Sequence, residues 1–302
     1  MRFGMDFGGT NLKTGIFDDD GSVIALVEKK LSNFTEQGDL LQNLISHVRK
    51  FSEGSTIKAG GLAIKGLINT KTGVLEDDIG AGGLLAGRDL RKAFGDALQI
   101  PFVVENDARA YAWGEWRFGA GIDSKVMVCL TLGTGLGCAL VVDEKPYEGS
   151  DPLGGVLGGH ISIDRNGPQC PCGNFGCLEL YCSAPAFNQK VKSRHPGLSQ
   201  HEDALPIFFK GIENNKKEYV ETLRLYQHDL AIGVVNVIHA YGPDTVVIGG
   251  GVMRSSKFIL PYLIENVHKM AWTFPKNKVV ITAAKLDNKG AALGVAFHPL
   301  LD

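Results

Sequence analysis

The chain has 302 residues, 44% of them apolar and 21% charged, with a formal net charge of −2. That length exceeds what one ordinary core needs and points to two domains or one large α/β unit. The composition is that of a globular enzyme, and the charge gives no electrostatic footprint for nucleic acid or an anionic membrane surface.

Residues 2–7 read as a short apolar strand ending on Gly8-Gly9-Thr10, and 12–17 resume it. An acidic turn, Asp18-Asp19-Asp20-Gly21, leads to a third strand over 22–27 and completes a meander with a Gly-rich first hairpin. Opening directly on a strand leaves no room for a signal peptide, and no run of about 18 apolar residues marks a membrane span. Six cysteines, three of them clustered, fit a reducing compartment, so a cytoplasmic location is expected. Leu40, Leu41, Leu44, Ile45, Val48 and Phe51 follow helical spacing. A strand over 59–64 is followed by a loop holding Gly66 and a turn at Lys71-Thr72-Gly73. Residues 90–98 read as a helix, 101–104 as a short buried strand ending at Glu105-Asn106-Asp107, and 108–116 as a second helix.

At Lys125 the pattern starts again: a strand over 126–132, Gly133-Thr134-Gly135, a strand over 136–142 and an acidic turn at Asp143-Glu144-Lys145. A separation of about 125 residues is too long for a solenoid and argues for two related α/β domains, each presenting a Gly/Thr hairpin. Backbone N–H groups of Gly-rich turns bind phosphate oxygens, and one hairpin on each side of a cleft would let closure enclose a triphosphate. A lone Gly-Gly-Thr signals little more than a tight turn; two copies in equivalent places favour phosphate binding. Thr10 and Thr134 each add a hydroxyl donor. Asp6, just ahead of the first hairpin, needs a partner if it is buried, and beside phosphates it would hold Mg2+ directly or through water. Lys13 is read as a solvated strand lysine.

Next comes Leu157-Gly158-Gly159-His160, followed by Cys170-Pro171-Cys172-Gly173-Asn174-Phe175-Gly176-Cys177-Leu178-Glu179. His160, Cys170, Cys172 and Cys177 match a tetrahedral Zn2+ shell with no place left for a reactive water. Gly173 and Gly176 allow the tight turns such a site needs. Free thiols or a disulfide are the alternatives, and the turn glycines favour structural zinc. Further on, a long helix over 218–240 stops at Gly242-Pro243, and a strand over 245–248 runs into Gly249-Gly250-Gly251. That triplet is either an ordinary strand-to-helix turn or a flat surface for a purine and ribose. A helix over 258–271, a strand over 279–282 and a closing helix over 290–297 complete the chain.

Taken together, Asp6-x-Gly8-Gly9-Thr10, Glu105-Asn106-Asp107-Ala108, Leu132-Gly133-Thr134-Gly135 and the His160 to Glu179 stretch resemble the ROK family of bacterial sugar kinases and repressors. The resemblance implies a two-domain actin-like (ribonuclease H-like) ATPase fold with a duplicated βββαβαβα core and an interdomain cleft. Residues 1–117 with 289–302 would form the small domain and 118–288 the larger, zinc-bearing one. It implies ATP with Mg2+ as phosphoryl donor and a glucokinase-like transfer to a hexose hydroxyl, O6 by analogy, with Asp107 as general base. Asn106, Asp107, His160, Glu179 and Gly66 would contact the sugar; Asp6, Gly8, Gly9, Thr10, Gly133, Thr134, Gly135 and Gly249 to Gly251 (Gly249, Gly250, Gly251) would hold the nucleotide. Asn106 also suits a helix N-cap, and Glu105 is expected to support the turn. A homodimer is implied as well, with no nucleic-acid or membrane partner. Repressor members carry an additional DNA-binding region ahead of the first hairpin, and Asp6 stands at the very start here; a non-catalytic, sugar-sensing member is the alternative.

Three positions depart from the family pattern. Leu157 replaces a glutamate that contacts the sugar, Lys65-Gly66 replaces Pro-Gly, and Arg109 stands where asparagine is common. The Asn-Leu pair that the family often has in the next loop finds no clear equivalent in 77–83. These changes are expected to surround one sugar pocket and to alter specificity more than chemistry.

Overall fold

The structure is a computed structural model that describes residues 1–36, 38–77, 81–150 and 158–302. The chain divides into two compact units: Met1–Asp123 with Ala139–Gly155 and Lys285–Asp302, and Ser124–Cys138 with Val156–Ala284.

In the first unit, β1 (Arg2–Phe7), β2 (Asn11–Phe17) and β3 (Val23–Lys30) form the expected meander, followed by a short α1 (Ser32–Thr35) and α2 (Leu40–Phe51). Asp39 caps α2 by accepting from Leu41 N and Gln42 N, and the apolar stripe read from the sequence is its buried face. β4 (Ala59–Ile64) is buried along its whole length, as a central parallel strand must be. A small hairpin follows, β5 (Leu67–Asn69) with β6 (Val74–Asp77), then α3 (Leu90–Leu98), β7 (Phe102–Asn106) and α4 (Asp107–Phe118). The sheet order is β3-β2-β1-β4-β7. Phe3, Met5, Leu44, Val48, Leu62, Phe94 and Phe102 share its core.

Further along lie β8 (Val126–Leu132), β9 (Leu136–Val142), β10 (Lys145–Pro146), α5 (Glu179–Cys182), α6 (Ala184–Arg194), α7 (Leu205–Glu213), α8 (Lys217–Tyr241), β11 (Thr245–Gly249), α9 (Ser256–Met270), β12 (Val280–Ala283) and α10 (Gly290–Ala296). The second sheet runs β10-β9-β8-β11-β12. Its order repeats the first element for element, so the hairpin repeat seen in the sequence is the trace of a duplicated sheet. In the second unit α8 buries Tyr226, Leu230, Val234 and Val237 and ends where Gly242 adopts φ +59°. Phe187 stacks on Tyr226 and Phe208 on Tyr219, and Phe187 meets Phe208 edge to face, forming an aromatic core there.

The β5–β6 hairpin stands where the sequence suggests only a loop and a turn, because its strands are too short to show alternation. No element is anticipated over 184–213; α6 buries only Phe187 and Val191, too few positions to establish a helical period.

α10, Gly-Ala-Ala-Leu-Gly-Val-Ala, is buried at every position and belongs to the first unit. It packs so closely that a Cβ on Gly294 would lie 1.8 Å from Ala110 O, and one on Gly4 would lie 1.8 Å from Ala292 O. Nearby, the wholly buried Glu115 accepts from Ala120 N at 2.8 Å, Lys285 N at 3.0 Å and Leu286 N at 2.7 Å. One carboxylate thereby fastens the segment that leaves this unit to the segment that returns to it. Because backbone cannot yield to a new methyl group, Gly294→Ala should cost about 2–3 kcal/mol in urea unfolding. Gly197→Ala, whose Cβ meets nothing within 4 Å, should stay within about 0.5 kcal/mol of wild type.

Candidate functional site

β1, β4 and β7 are parallel, and their register sets Asp6 beside Ala63, Ala63 beside Glu105, and Ile64 beside Asn106. Their carboxyl ends therefore deliver Asp6, Lys65-Gly66 and Asn106-Asp107 to one edge, together with the first hairpin. This is the edge at which open α/β sheets bind ligands. Gly8 N bonds Asn11 O at 3.1 Å to close the hairpin, leaving Gly9 and Thr10 exposed. Asp6 is buried and paired with Lys13, which donates to Asp6 Oδ2 at 3.2 Å from the facing position on β2. Lys13 is thus partnered rather than simply solvated, a pairing visible only once the hairpin register is known. Burial raises the Asp6 carboxyl above its ordinary range despite Lys13.

Asp107 begins α4 and accepts from Ala108 N at 2.8 Å. Burial, and then the charge of Asp6, push its pKa up to about 6; the Ala108 N–H and the Lys65 ammonium oppose the rise. Two carboxylates that repel each other at a phosphate-type hairpin suit a divalent cation, so the donor set fits Mg2+. Asn106 is the N-cap of α4: its Oδ1 accepts from Ala108 N at 3.0 Å and Arg109 N at 3.2 Å, and its Nδ2 donates to Gly66 O at 3.2 Å. One amide hydrogen remains for a ligand. Gly66 has φ +128°, a conformation that favours glycine.

Arg109 corrects an expectation. Its side chain is fully buried and paired with Glu105, Nε donating at 2.8 Å, so it does not line a ligand pocket. Glu105 also accepts from Asn106 N and, at 3.2 Å, from His298 Nε2. His298 Nδ1 takes the Leu300 N–H at 3.3 Å, which leaves Nε2 as the protonated, donating nitrogen. The pairings hold the Glu105 carboxyl below its usual range against the effect of burial. Neither the His298 contact nor the Arg109 pairing is signalled by a motif. Leu157 lies outside the described residues, as do 78–80 of the next loop.

In the second unit the equivalent edge carries the second hairpin and the glycine triplet, with Thr131 beside Gly249 in the register. Gly133 N bonds Gly135 O at 3.0 Å, and Thr134 is exposed at the tip. Gly250 has φ +91° and leaves only 2.4 Å between a Cβ and Leu132 O, so it packs against the base of the hairpin. Glu179 Oε2 accepts from Leu136 N at 2.8 Å, and a Cβ on Gly135 would meet that oxygen at 2.6 Å. The carboxylate expected at a sugar thus also braces the second hairpin, a contact that sequence spacing does not reveal.

His160, Cys170, Cys172 and Cys177 converge, with their ligand atoms all within 4.8 Å of one another. Cys170 Sγ lies 3.6 Å from His160 Nδ1, and Cys172 Sγ lies 3.6 Å from Cys177 Sγ. Zn–S and Zn–N bonds of usual length give tetrahedral edges of about 3.6–3.8 Å, so the donors fit zinc. Nδ1 faces the thiols, which leaves Nε2 for a second partner. Short bridges, Ser162 with Cys177 and Gln169 with Phe175, build the surrounding loop. Gly176 has φ +60° and would place a Cβ 1.8 Å from Asp164 O. Glu179 follows two residues after Cys177, and its N–H bonds Gly159 O at 3.0 Å. The four candidate ligands and this carboxylate therefore share one scaffold.

The chain is 28% identical over 283 residues to the glucokinase of Thermotoga maritima, an alignment covering 87% of this chain and 86% of that one. It is 27% identical over 208 residues to the xylose repressor of Bacillus subtilis, covering 69% of this chain and 53% of the repressor. A crystal structure of a ROK family glucokinase from Streptomyces griseus, in complex with glucose and AMPPNP, is similar with a TM-score of 0.83 at 25% identity, covering 98% and 97% of the two chains. The fold is that of the actin-like ATPases. The ROK family model matches residues 2–298, and the chain belongs to the ROK family.

Proposed function

We propose that this protein is an ATP-dependent sugar kinase that phosphorylates a hydroxyl, O6, of a hexose or hexose derivative. The observation that carries the reading is Asp107, a carboxylate with a pKa of about 6 beside Asp6 and the first Gly/Thr hairpin. A base poised just below neutrality is ionised at working pH yet basic enough to receive the hydroxyl proton. Phosphoryl transfer otherwise needs positioning and charge neutralisation. Gly8, Gly9 and Thr10, with Gly133, Thr134 and Gly135, hold phosphates through backbone N–H and hydroxyl groups. Gly249, Gly250 and Gly251 take the nucleoside. Asp6 holds Mg2+, which would screen phosphate charge when bound. Asn106, Gly66, His160 and Glu179 contact the sugar, and zinc on His160, Cys170, Cys172 and Cys177 stiffens the loop that carries the last two. The active form is a homodimer, the assembly that the family resemblance implies.

The similarity to the xylose repressor supports a second reading, a sugar-sensing protein without turnover. An ADP-release screen across aldohexoses, ketohexoses, amino and N-acetyl sugars and polyols separates the two. Turnover with at least one sugar supports the kinase. Ligand-induced thermal stabilisation with no ADP release from any sugar supports the sensor.

Asp107→Asn should lower kcat at least a hundredfold in that assay; a rate within tenfold of wild type removes Asp107 as base. The wild-type rate should fall as pH drops through about 6, where Asp107 takes up its proton. Because its folded pKa is raised above the ordinary value, Asp107 favours stability below about pH 4, and that contribution is lost as pH rises through about 6. At pH 7 Asp107→Asn should therefore be about 1–2 kcal/mol more stable in denaturant titrations.

Zinc chelation should lower the Tm by several degrees and raise the KM for sugar, and added zinc should reverse both; an unchanged Tm argues against a structural metal. Leu157→Glu should raise kcat/KM at least about tenfold for a neutral hexose offering the extra hydroxyl. An unchanged sugar preference dismisses Leu157 as a specificity determinant.

A further inference from the structure

Trp272 and Phe274 are 90% and 93% exposed, on the second unit's connection from α9 to β12. Rings this bare are unusual, since each withholds a large apolar area from burial. Their backbone is nevertheless tied down. Ala271 N bonds Val267 O at 2.8 Å, Trp272 N bonds His239 Nε2 at 2.9 Å, and Lys278 N bonds Pro275 O at 3.1 Å. Thr273 Oγ1 donates to Pro275 O at 3.1 Å and to Lys276 O at 3.0 Å. The rings are presented on a shaped loop rather than a loose one.

The same segment runs straight into an open sheet edge. β12 is the last strand of its sheet and pairs only with β11 among the described strands. Val280 N and Ala284 N bond towards β11, to Asp244 O and Ile248 O, each at 2.9 Å. Strand alternation therefore turns the backbone groups of Ile281 and Ala283 outward. The strand sequence Val-Ile-Thr-Ala carries neither charge nor proline, the usual protections of an edge, and Val280 is 57% exposed.

We propose that this face, the Trp272–Phe274 loop with the β12 edge, is where a second copy of the chain docks, the two related by a twofold axis. The proposal rests on the homodimeric reading above and assigns its surface. A twofold contact needs one self-complementary surface. A strand edge meets that demand, because two copies of β12 can pair antiparallel with their outward N–H and C=O groups. At about 150–250 Å² per ring, Trp272 and Phe274 offer roughly half of the ~800 Å² that each partner contributes to a stable interface. Val280 and the half-exposed Met270 extend the patch. Lys276 and Lys278 flank it as a polar rim, and a net charge of −2 puts no large repulsion between copies.

Sedimentation velocity of the full chain over a wide concentration range provides the test. Wild type should be dimeric, with Trp272 emission shifting to the blue as the dimer forms. Trp272→Ala/Phe274→Ala should raise the dimer Kd at least a hundredfold without changing the circular dichroism, as expected for exposed rings. Val280→Lys, which adds a charge beside the strand edge, should weaken the dimer independently. A wild-type dimer unaffected by these changes overturns the surface while keeping the homodimer. A wild-type chain that stays monomeric overturns both, including the case in which its tryptophan emission shifts only with phosphatidylglycerol vesicles.

Discussion

Glu105 and Arg109 form an ion pair in which both side chains are wholly out of contact with water. Withdrawing two charges from solvent is expensive, and such a pair persists only if nearly every donor and acceptor is satisfied. Here the carboxylate is met by Arg109, by the Asn106 N–H and by His298, while Arg109 Nη1 also reaches Glu148 O at 3.5 Å. The pair spans one turn of chain from the last residues of β7 into α4. Asp107 lies between its members in sequence, so the direction of that carboxylate depends on their geometry. Asn106, capping α4 from the same turn, completes the constraint.

Much of this arrangement was legible in the sequence because it is repetitive or local. The two Gly/Thr hairpins at matching distances from acidic turns betray a duplicated sheet, and both sheets have the same strand order. Four ligands close together in the chain, with glycines between thiols, betray a metal-sized cluster without any tertiary information. Arg109 shows where such reading stops. A charged residue that departs from a family pattern beside a candidate base suggests a changed pocket, yet its guanidinium turns inward to Glu105. The signal for this lay in the i, i+4 spacing of Glu105 and Arg109, which also describes countless solvated pairs. His298 is far away in the chain and has no local signal at all. Glu179 is similar: its link to Leu136 N joins segments that only the fold brings together.

The two sheet edges solve a related problem with different chemistry. At the first, carboxylates gather at strand ends, where burial, and for Asp107 also the charge of Asp6, raises their affinity for protons, which suits a base and a cation site. At the second, the acid is tied to a hairpin N–H and supported by a loop that a metal can stiffen. The duplicated scaffold thus carries one carboxylate-lined edge and one braced edge, and the distinction lies in a few side chains rather than in topology.

The place of α10 has a consequence for the order in which the molecule can be made. Its seven residues, buried at every position, sit against β1 and α4, yet they are synthesised long after both. The first unit cannot cover this face of its sheet until the stretch from Ser124 to Ala284, most of it the second unit, has been synthesised. Until then the glycine faces of β1 and α4 stay uncovered. Glu115, likewise, has no Lys285 or Leu286 N–H to receive. The nascent chain therefore carries a half-built first unit while the second is made, and that unit is completed only when α10 arrives.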